Sequence, residues 1–167
     1  MKNQELSSED KVKSDALRLL AAGPRSVEEL RGRLKLKRHA QSAIEPVLEL
    51  LVRQGFLDDE KFARLYAVSR THTRPTGRRQ LAMDMKKKGI AGRLIEETLS
   101  GLQDYDEKAE ALKLARGRFQ RATGLTPEKK KARVFGFLQR RGFSNDTIFA
   151  VLNELVKEAK GQEVDES

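Results

Sequence analysis

The chain has no cysteine and no tryptophan, only 5% aromatic residues and four prolines. Without thiols there is no disulfide framework, no thiolate nucleophile and no Cys-ligated zinc or iron-sulfur site. The shortage of aromatic side chains argues against a sheet-rich core and suits helices built from Leu, Ala and Lys. No apolar run approaches the roughly 18 residues that a membrane span needs. The start, Met1-Lys2-Asn3-Gln4-Glu5, is polar, so no export signal is expected and the expectation is a cytoplasmic protein with no membrane association.

What is present is positive charge. The 167 residues carry 34 Lys and Arg against 25 Asp and Glu, a net +9. By segment the charge is +1 over residues 1–59, +6 over 60–102, +5 over 103–153 and −3 over 154–167. A basic excess confined to the middle and later parts implies an anionic partner, either nucleic acid or an acidic protein groove. Solubility charge spread over an array of helices is the alternative.

Along the chain, residues 1–10 are expected to form a flexible N-terminus. Val12, Ala16, Leu19 and Leu20 then make one helical stripe ended by Gly23-Pro24. Ser26 and Glu29 form a capping box before Val27, Leu30 and Leu34. Ser42 and Glu45 offer a second box before Ile44, Val47, Leu48, Leu51 and Val52, with Pro46 expected to start or kink that helix. A fourth helix, capped by Asp58 or Asp59, turns Phe62, Leu65, Tyr66 and Ser69 to one face. After the turn at His72 to Gly77, Leu81, Ala82 and Met85 face inward on a helix that stops at Gly89, followed by a stripe of Ile95, Leu99 and Leu102. Leu112, Ala115 and Phe119 come next. Thr126-Pro127 opens a helix bearing Val134, Phe135 and Leu138, Gly142 stops it, and Ser144 caps a last helix with Ile148, Leu152 and Leu155.

These helices repeat. With Arg38, Gly89 and Gly142 as origins, eight residues back lie Leu30, Leu81 and Val134, and four back lie Leu34, Met85 and Leu138. Six forward lie Ile44, Ile95 and Ile148, ten forward Leu48, Leu99 and Leu152, and thirteen forward Leu51, Leu102 and Leu155. A period of 51 and 53 residues that keeps phase across turns indicates tandem three-helix units. The expected units are 11–57, 58–103 and 104–156, with an acidic flexible tail over 157–167.

Gly55-Phe56-Leu57-Asp58-Asp59-Glu60-Lys61-Phe62-Ala63, with Gly77, Leu81 and Lys88-Gly89-Ile90, resembles the signature of the RecX family, bacterial regulators of RecA recombinase. The resemblance spans Leu17 to Leu155. It implies an all-α fold of three tandem three-helix repeats in an elongated, curved right-handed array. It also implies a monomeric, non-enzymatic regulator, mainly an inhibitor, acting in DNA repair, recombination and the SOS response. Family members bind in the groove of the RecA filament on single- or double-stranded DNA and restrain its ATPase, strand-exchange and co-protease activities. Arg38-His39 stands where the later copies have glycine, which predicts a different bend in the first repeat.

The motif residues Gly55, Phe56, Leu57, Asp58, Asp59, Phe62, Ala63, Gly77, Leu81, Gly89 and Ile90 read as structural. The contact surface is expected on basic residues of the second and third units: Arg70, Arg74, Arg78, Arg79, Lys86, Lys87, Lys88, Lys130, Arg133, Arg140 and Arg141. Arg79 and Lys86 stand seven apart on one helix, as do Arg133 and Arg140, so each pair shares a face. Helix capping and solvation are the competing roles for each. No cofactor is expected: Asp58 and Asp59 read as caps rather than a Mg²⁺ pair, and His39 and His72 belong to no close metal pattern. Gly89-Ile90-Ala91-Gly92 imitates the KH nucleic-acid loop but reads as a helix stop and turn. Two other functions compete with filament regulation: a stand-alone DNA-binding helical repeat, and an adaptor for an unrelated acidic protein.

Overall fold

The computed structural model describes residues 7–165, with side chains as far as Ala159. Among the described residues there are nine helices and no strand. They are α1 (Ser8–Ala21), α2 (Val27–Leu36), α3 (Gln41–Arg53), α4 (Asp59–Thr73), α5 (Arg78–Lys87), α6 (Gly92–Ser100), α7 (Glu107–Gln120), α8 (Pro127–Arg140) and α9 (Asn145–Asp165). The chain folds into two compact units. The first takes the residues up to Tyr66 together with Met85–Thr98, and the second takes Ala67–Asp84 with Leu99 onward. The chain therefore passes from one unit to the other within α4, α5 and α6.

In the first unit, α1, α2 and α3 pack on one another around Val12, Ala16, Leu30, Leu34, Ile44, Val47, Leu48 and Leu51, all buried. In the second, α7, α8 and α9 enclose Leu112, Ala115, Val134, Leu138, Phe143, Ile148 and Leu152. Each large side chain so buried contributes about 1.5–3 kcal/mol by leaving water. The first and third sets of repeat-equivalent positions are all buried, whereas in the middle repeat Leu99 and Leu102 are only half-buried.

The turns confirm the phase of the repeat at the backbone. Arg38, Gly89 and Gly142 have φ of 65°, 78° and 76°. In each case the next residue donates its N–H to the carbonyl five residues back: His39 to Leu34 at 3.3 Å, Ile90 to Met85 at 3.1 Å and Phe143 to Leu138 at 3.2 Å. This left-handed helix stop satisfies carbonyls that would otherwise be orphaned. The expected different bend at Arg38-His39 does not occur there: Arg38 adopts the glycine conformation at a steric cost of about 1–2 kcal/mol.

Several local expectations are corrected. Residues 8–10, expected in a flexible terminus, open α1, because Ser7 and Asp10 form a capping box. The rest of that expected segment, residues 1–6, lies outside the described residues, as do 166–167. Helix α3 starts at Gln41 and runs through Pro46, with Ala40 at its N-cap and no side-chain cap bond. Ser42 and Glu45 form no box because Ser42 already lies inside the helix, past its N-cap, and the Glu45 carboxylate is held instead by Arg31 at 3.0 and 3.2 Å and by Gln41 at 3.2 Å. Burial of Ala43, Ile44, Val47, Leu48 and Leu51 outweighs the roughly 3 kcal/mol that an internal proline costs, whereas Val52, expected on the same stripe, is exposed in the last turn.

On α4 the buried residues are Phe62, Ala63, Ala67 and Thr71, with Tyr66 half-buried, while Leu65 and Ser69 face solvent. The two alanines, not the leucine, take the inward face. Helix α9 runs on to Asp165, through residues expected to form a flexible tail. Lys108 pairs with Glu154 at 3.1 Å just before this extension, and the extension itself is tied to α7 by Arg116, whose Nε donates to Glu158 at 3.1 Å.

Candidate functional site

Asp58 and Asp59 divide their work. Asp58 caps its own helix, accepting the Lys61 N–H at 2.9 Å. Asp59 reaches back to α2 and accepts the Val27 N–H at 2.9 Å, so it caps the second helix of the preceding repeat. Burial pushes the Asp59 carboxyl above its ordinary value, and the Val27 bond opposes that. Beside it the fully buried Ser26 hydroxyl donates to the Lys88 carbonyl while accepting the Glu29 N–H at 3.1 Å. Lys88 Nζ pairs with Glu29 at 2.6 Å and stands 5.8 and 5.2 Å from the ring centres of Phe62 and Tyr66.

The second unit builds the same joint from different side chains. Asp106 caps α7 through the Ala109 N–H at 2.9 Å, and Glu107 accepts the Arg78 N–H at the start of α5 at 3.3 Å. Thr76 Oγ1 donates to the Arg141 carbonyl at 2.7 Å, as Ser26 does to that of Lys88. The Gly77 N–H shares that acceptor at 2.8 Å. Tyr105 brackets the turn by donating to the Thr76 carbonyl at 2.7 Å and accepting the Thr76 N–H at 3.1 Å. Burial pushes both the Glu107 carboxyl and the Tyr105 hydroxyl upward. A β-carbon on Gly77 would lie 2.0 Å from the Gly142 carbonyl oxygen, so the two backbones touch only because residue 77 is glycine, while a β-carbon on Gly142 would meet Gln80 at 2.4 Å.

The motif residues other than Gly77 and Leu81, which belong to the second unit, largely build the first joint, and Phe56 departs from them. Gly55 turns the chain at φ 75°, while Leu57, Phe62, Ala63 and Ile90 are buried. Phe56, however, is 59% exposed and stands with Leu17 and Leu65 along an apolar groove of about 530 Å³ in the first unit.

The basic candidates separate by what holds them. Arg78 is spent on structure: its guanidinium donates to the carbonyls of Leu99, of Leu102 at 2.8 Å and of Tyr105 at 3.4 Å, and pairs with Glu107 at 3.5 Å. Lys88 is equally committed, as described above. Lys130 is half-buried, 5.3 Å from the Phe119 ring centre. Lys86 and Lys87 are exposed on the first unit, and Arg74, Arg79, Arg133 and Arg140 on the second. Arg70 and Arg141 are half-buried in the second unit together with Arg118, which sequence reasoning missed.

Three matches decide the relationship. The models for the first, second and third three-helix domains of RecX match residues 13–51, 58–99 and 104–152. The chain belongs to the RecX family. It is 32% identical over 151 residues to regulatory protein RecX of Chlorobium phaeobacteroides (strain BS1), covering 90% of this chain and 97% of that one. It is also 32% identical over 155 residues to regulatory protein RecX of Thermobifida fusca (strain YX), covering 93% and 83%. Among solved structures, RecX from Lactobacillus salivarius superposes with a TM-score of 0.79 at 22% identity, over 89% of this chain and 96% of that one. The chain is accordingly a RecX-type regulatory protein with an all-α fold of tandem three-helix repeats. The second RecX domain match opens at the capping Asp58, and the third begins two residues before Asp106.

Among the described residues, no group of three or more His, Asp or Glu is arranged to hold a metal ion, and no helix is long and apolar enough to cross a membrane. His39 is instead bonded to Asp15 at 2.8 Å, and with Lys37 it holds that carboxyl below its ordinary value. His72 bonds to the Val68 carbonyl at 2.8 Å.

Proposed function

We propose that this RecX-family chain is a non-enzymatic cytoplasmic regulator of RecA recombinase. It binds as a monomer in the groove of the RecA filament on DNA and restrains its ATPase, strand-exchange and co-protease activities. One observation carries the reading: the repeat presents a cation at the same position twice. Lys87 and Arg140 each stand two residues before a left-handed turn glycine, one on each unit, and both are exposed. A repeated cation suits a partner that itself repeats, because several modest contacts on a periodic surface act multivalently. Arg79 and Arg133 on the second unit and Lys86 on the first extend the exposed set. A ligand that favours one filament conformation shifts the filament toward it by its differential affinity.

The test is binding of RecA filaments, assembled on labelled DNA with nucleotide, by the full chain and by an Arg79→Ala, Lys86→Ala, Lys87→Ala variant. The variant binds more weakly while its helical circular dichroism and melting temperature stay unchanged. Full filament binding by that variant would move the contact surface elsewhere. A stand-alone DNA-binding repeat protein is the second reading, favoured by a cluster of guanidinium groups in the second unit. It would bind naked DNA as well as it binds the filament.

A further inference from the structure

Four guanidinium groups gather in the second unit around the end of α4 and the end of α8. Arg141 Nη1 donates to the Pro75 carbonyl at 3.0 Å, which seats it beside the turn that carries Arg74, one turn of α4 beyond Arg70. The guanidinium carbon of Arg141 lies 5.2 Å from the centre of the Phe137 ring, and that of Arg118 lies 5.1 Å from the same centre. Nε of Arg70 and Nε of Arg118 are shielded from solvent and donate to no protein atom. Among the described residues, Arg70 alone of the four has a carboxylate within ion-pair distance, Asp84 at 3.9 Å, which is beyond hydrogen-bond reach.

This arrangement is unfavourable as it stands. A shielded N–H without an acceptor costs about 1–3 kcal/mol, more for a charged group. Burial, with the like charges of Arg74 and Arg70, holds the Arg141 guanidinium below its ordinary value, the direction expected where cations crowd without counter-charge. An oxyanion bound between the guanidiniums would supply both the missing acceptors and the missing charge, and the flat fork of arginine suits it.

We propose that Arg70, Arg74, Arg118 and Arg141 form a binding site for a backbone phosphate of nucleic acid. The favoured ligand is a polyanion rather than a single carboxylate because the cations continue along α8, whose C-cap is Arg141. Helix α8 carries exposed Lys129, Arg133 and Arg140 and half-buried Lys130 and Lys131, over a length of about 21 Å. Phe137 adds an aromatic face among the arginines, a pairing that single-strand binders use. The inference deepens the DNA side of the proposed function and rests on that reading.

The experiment follows a labelled oligothymidylate by fluorescence anisotropy with the full chain, between about 50 and 200 mM salt. It compares an Arg74→Gln, Arg118→Gln variant with an Arg74→Lys, Arg118→Lys variant. The glutamine pair binds roughly tenfold more weakly, with a log–log salt slope shallower by about 1.4, as expected for two lost phosphate contacts on a single strand. The lysine pair restores the slope but not the full affinity, since an ammonium cannot form the bidentate fork. Thermal unfolding of both variants falls at or above the wild-type midpoint, which separates lost contact from lost fold. The inference is overturned if the wild-type chain does not bind the naked oligonucleotide, or if the glutamine pair matches it in affinity and slope. Inhibition of RecA ATP hydrolysis is scored in parallel. Loss of inhibition with unchanged DNA affinity would assign the cluster to an acidic protein surface, ending this inference while leaving the RecA reading intact. Loss of DNA affinity in the glutamine pair upholds the inference whether or not the wild-type chain inhibits RecA, and absence of wild-type inhibition would end the RecA reading alone.

Discussion

The two joints share a backbone plan and differ in charge. In the first, the residue before the turn glycine is Lys88, and its ammonium is neutralised by Glu29 and covered by Phe62 and Tyr66. In the second, the corresponding residue is Arg141, which meets a carbonyl and a phenyl ring, with Arg70, Arg74 and Arg118 gathered nearby and Asp84 at the edge. The first joint is electrically closed and serves the fold, whereas the second carries surplus positive charge that an anionic ligand can use. The motif that signals the family therefore lies mostly at the first joint, and the surplus positive charge lies at the second.

The largest effect comes from breaking a joint sterically. Gly77→Ala places a β-carbon against the Gly142 carbonyl and lowers unfolding free energy by roughly 3 kcal/mol in urea titration. If that variant unfolds at the wild-type midpoint, the close backbone contact is not required. Next, Asp59→Ala and Glu107→Ala each leave a helix N–H without its acceptor and cost about 1–2 kcal/mol. Similar losses at the two sites would establish that the joints are equivalent in stability, leaving charge as their difference. Arg38→Gly removes the left-handed strain that the first repeat tolerates and raises stability by about 1 kcal/mol, read as a higher melting temperature.

The pH dependence sharpens the comparison least but tests its cause. Burial raises the Asp59 carboxyl above its unfolded value of about 3.8, so its folded form holds the proton more tightly. The resulting stability is fully present below that unfolded value and is lost as pH rises through the folded one. Wild-type stability relative to Asp59→Asn should therefore decline across that window. A flat difference would mean that the carboxyl is not desolvated in the folded chain.

Much of this fold was legible from spacing. The five apolar positions, the Ser26 box, the Thr126-Pro127 start and the turn origins all follow from local patterns, because each depends on partners within a few residues. The joints were not legible, since Asp59 acts on Val27, 32 residues away, and nothing in a one-dimensional pattern marks which helix an acid will cap. The inward face of α4 was misjudged for a related reason: packing there selects the small Ala63 and Ala67 and leaves Leu65 outside, against the ranking by hydrophobicity. Among the basic candidates, sequence could not separate Arg78 and Lys88 from Arg79 and Lys87, because adjacent residues point to different sides of a helix and only one of each pair finds an acceptor. Arg118 was overlooked because its significance comes from sharing Phe137 with Arg141.

The most direct test of the regulatory account is the DNA-dependent ATP hydrolysis of RecA, titrated with this chain while anisotropy follows the labelled DNA with and without RecA. The account predicts inhibition at concentrations well below those that coat naked DNA. Inhibition that appears only when the DNA itself is saturated, or no inhibition at all, would contradict it.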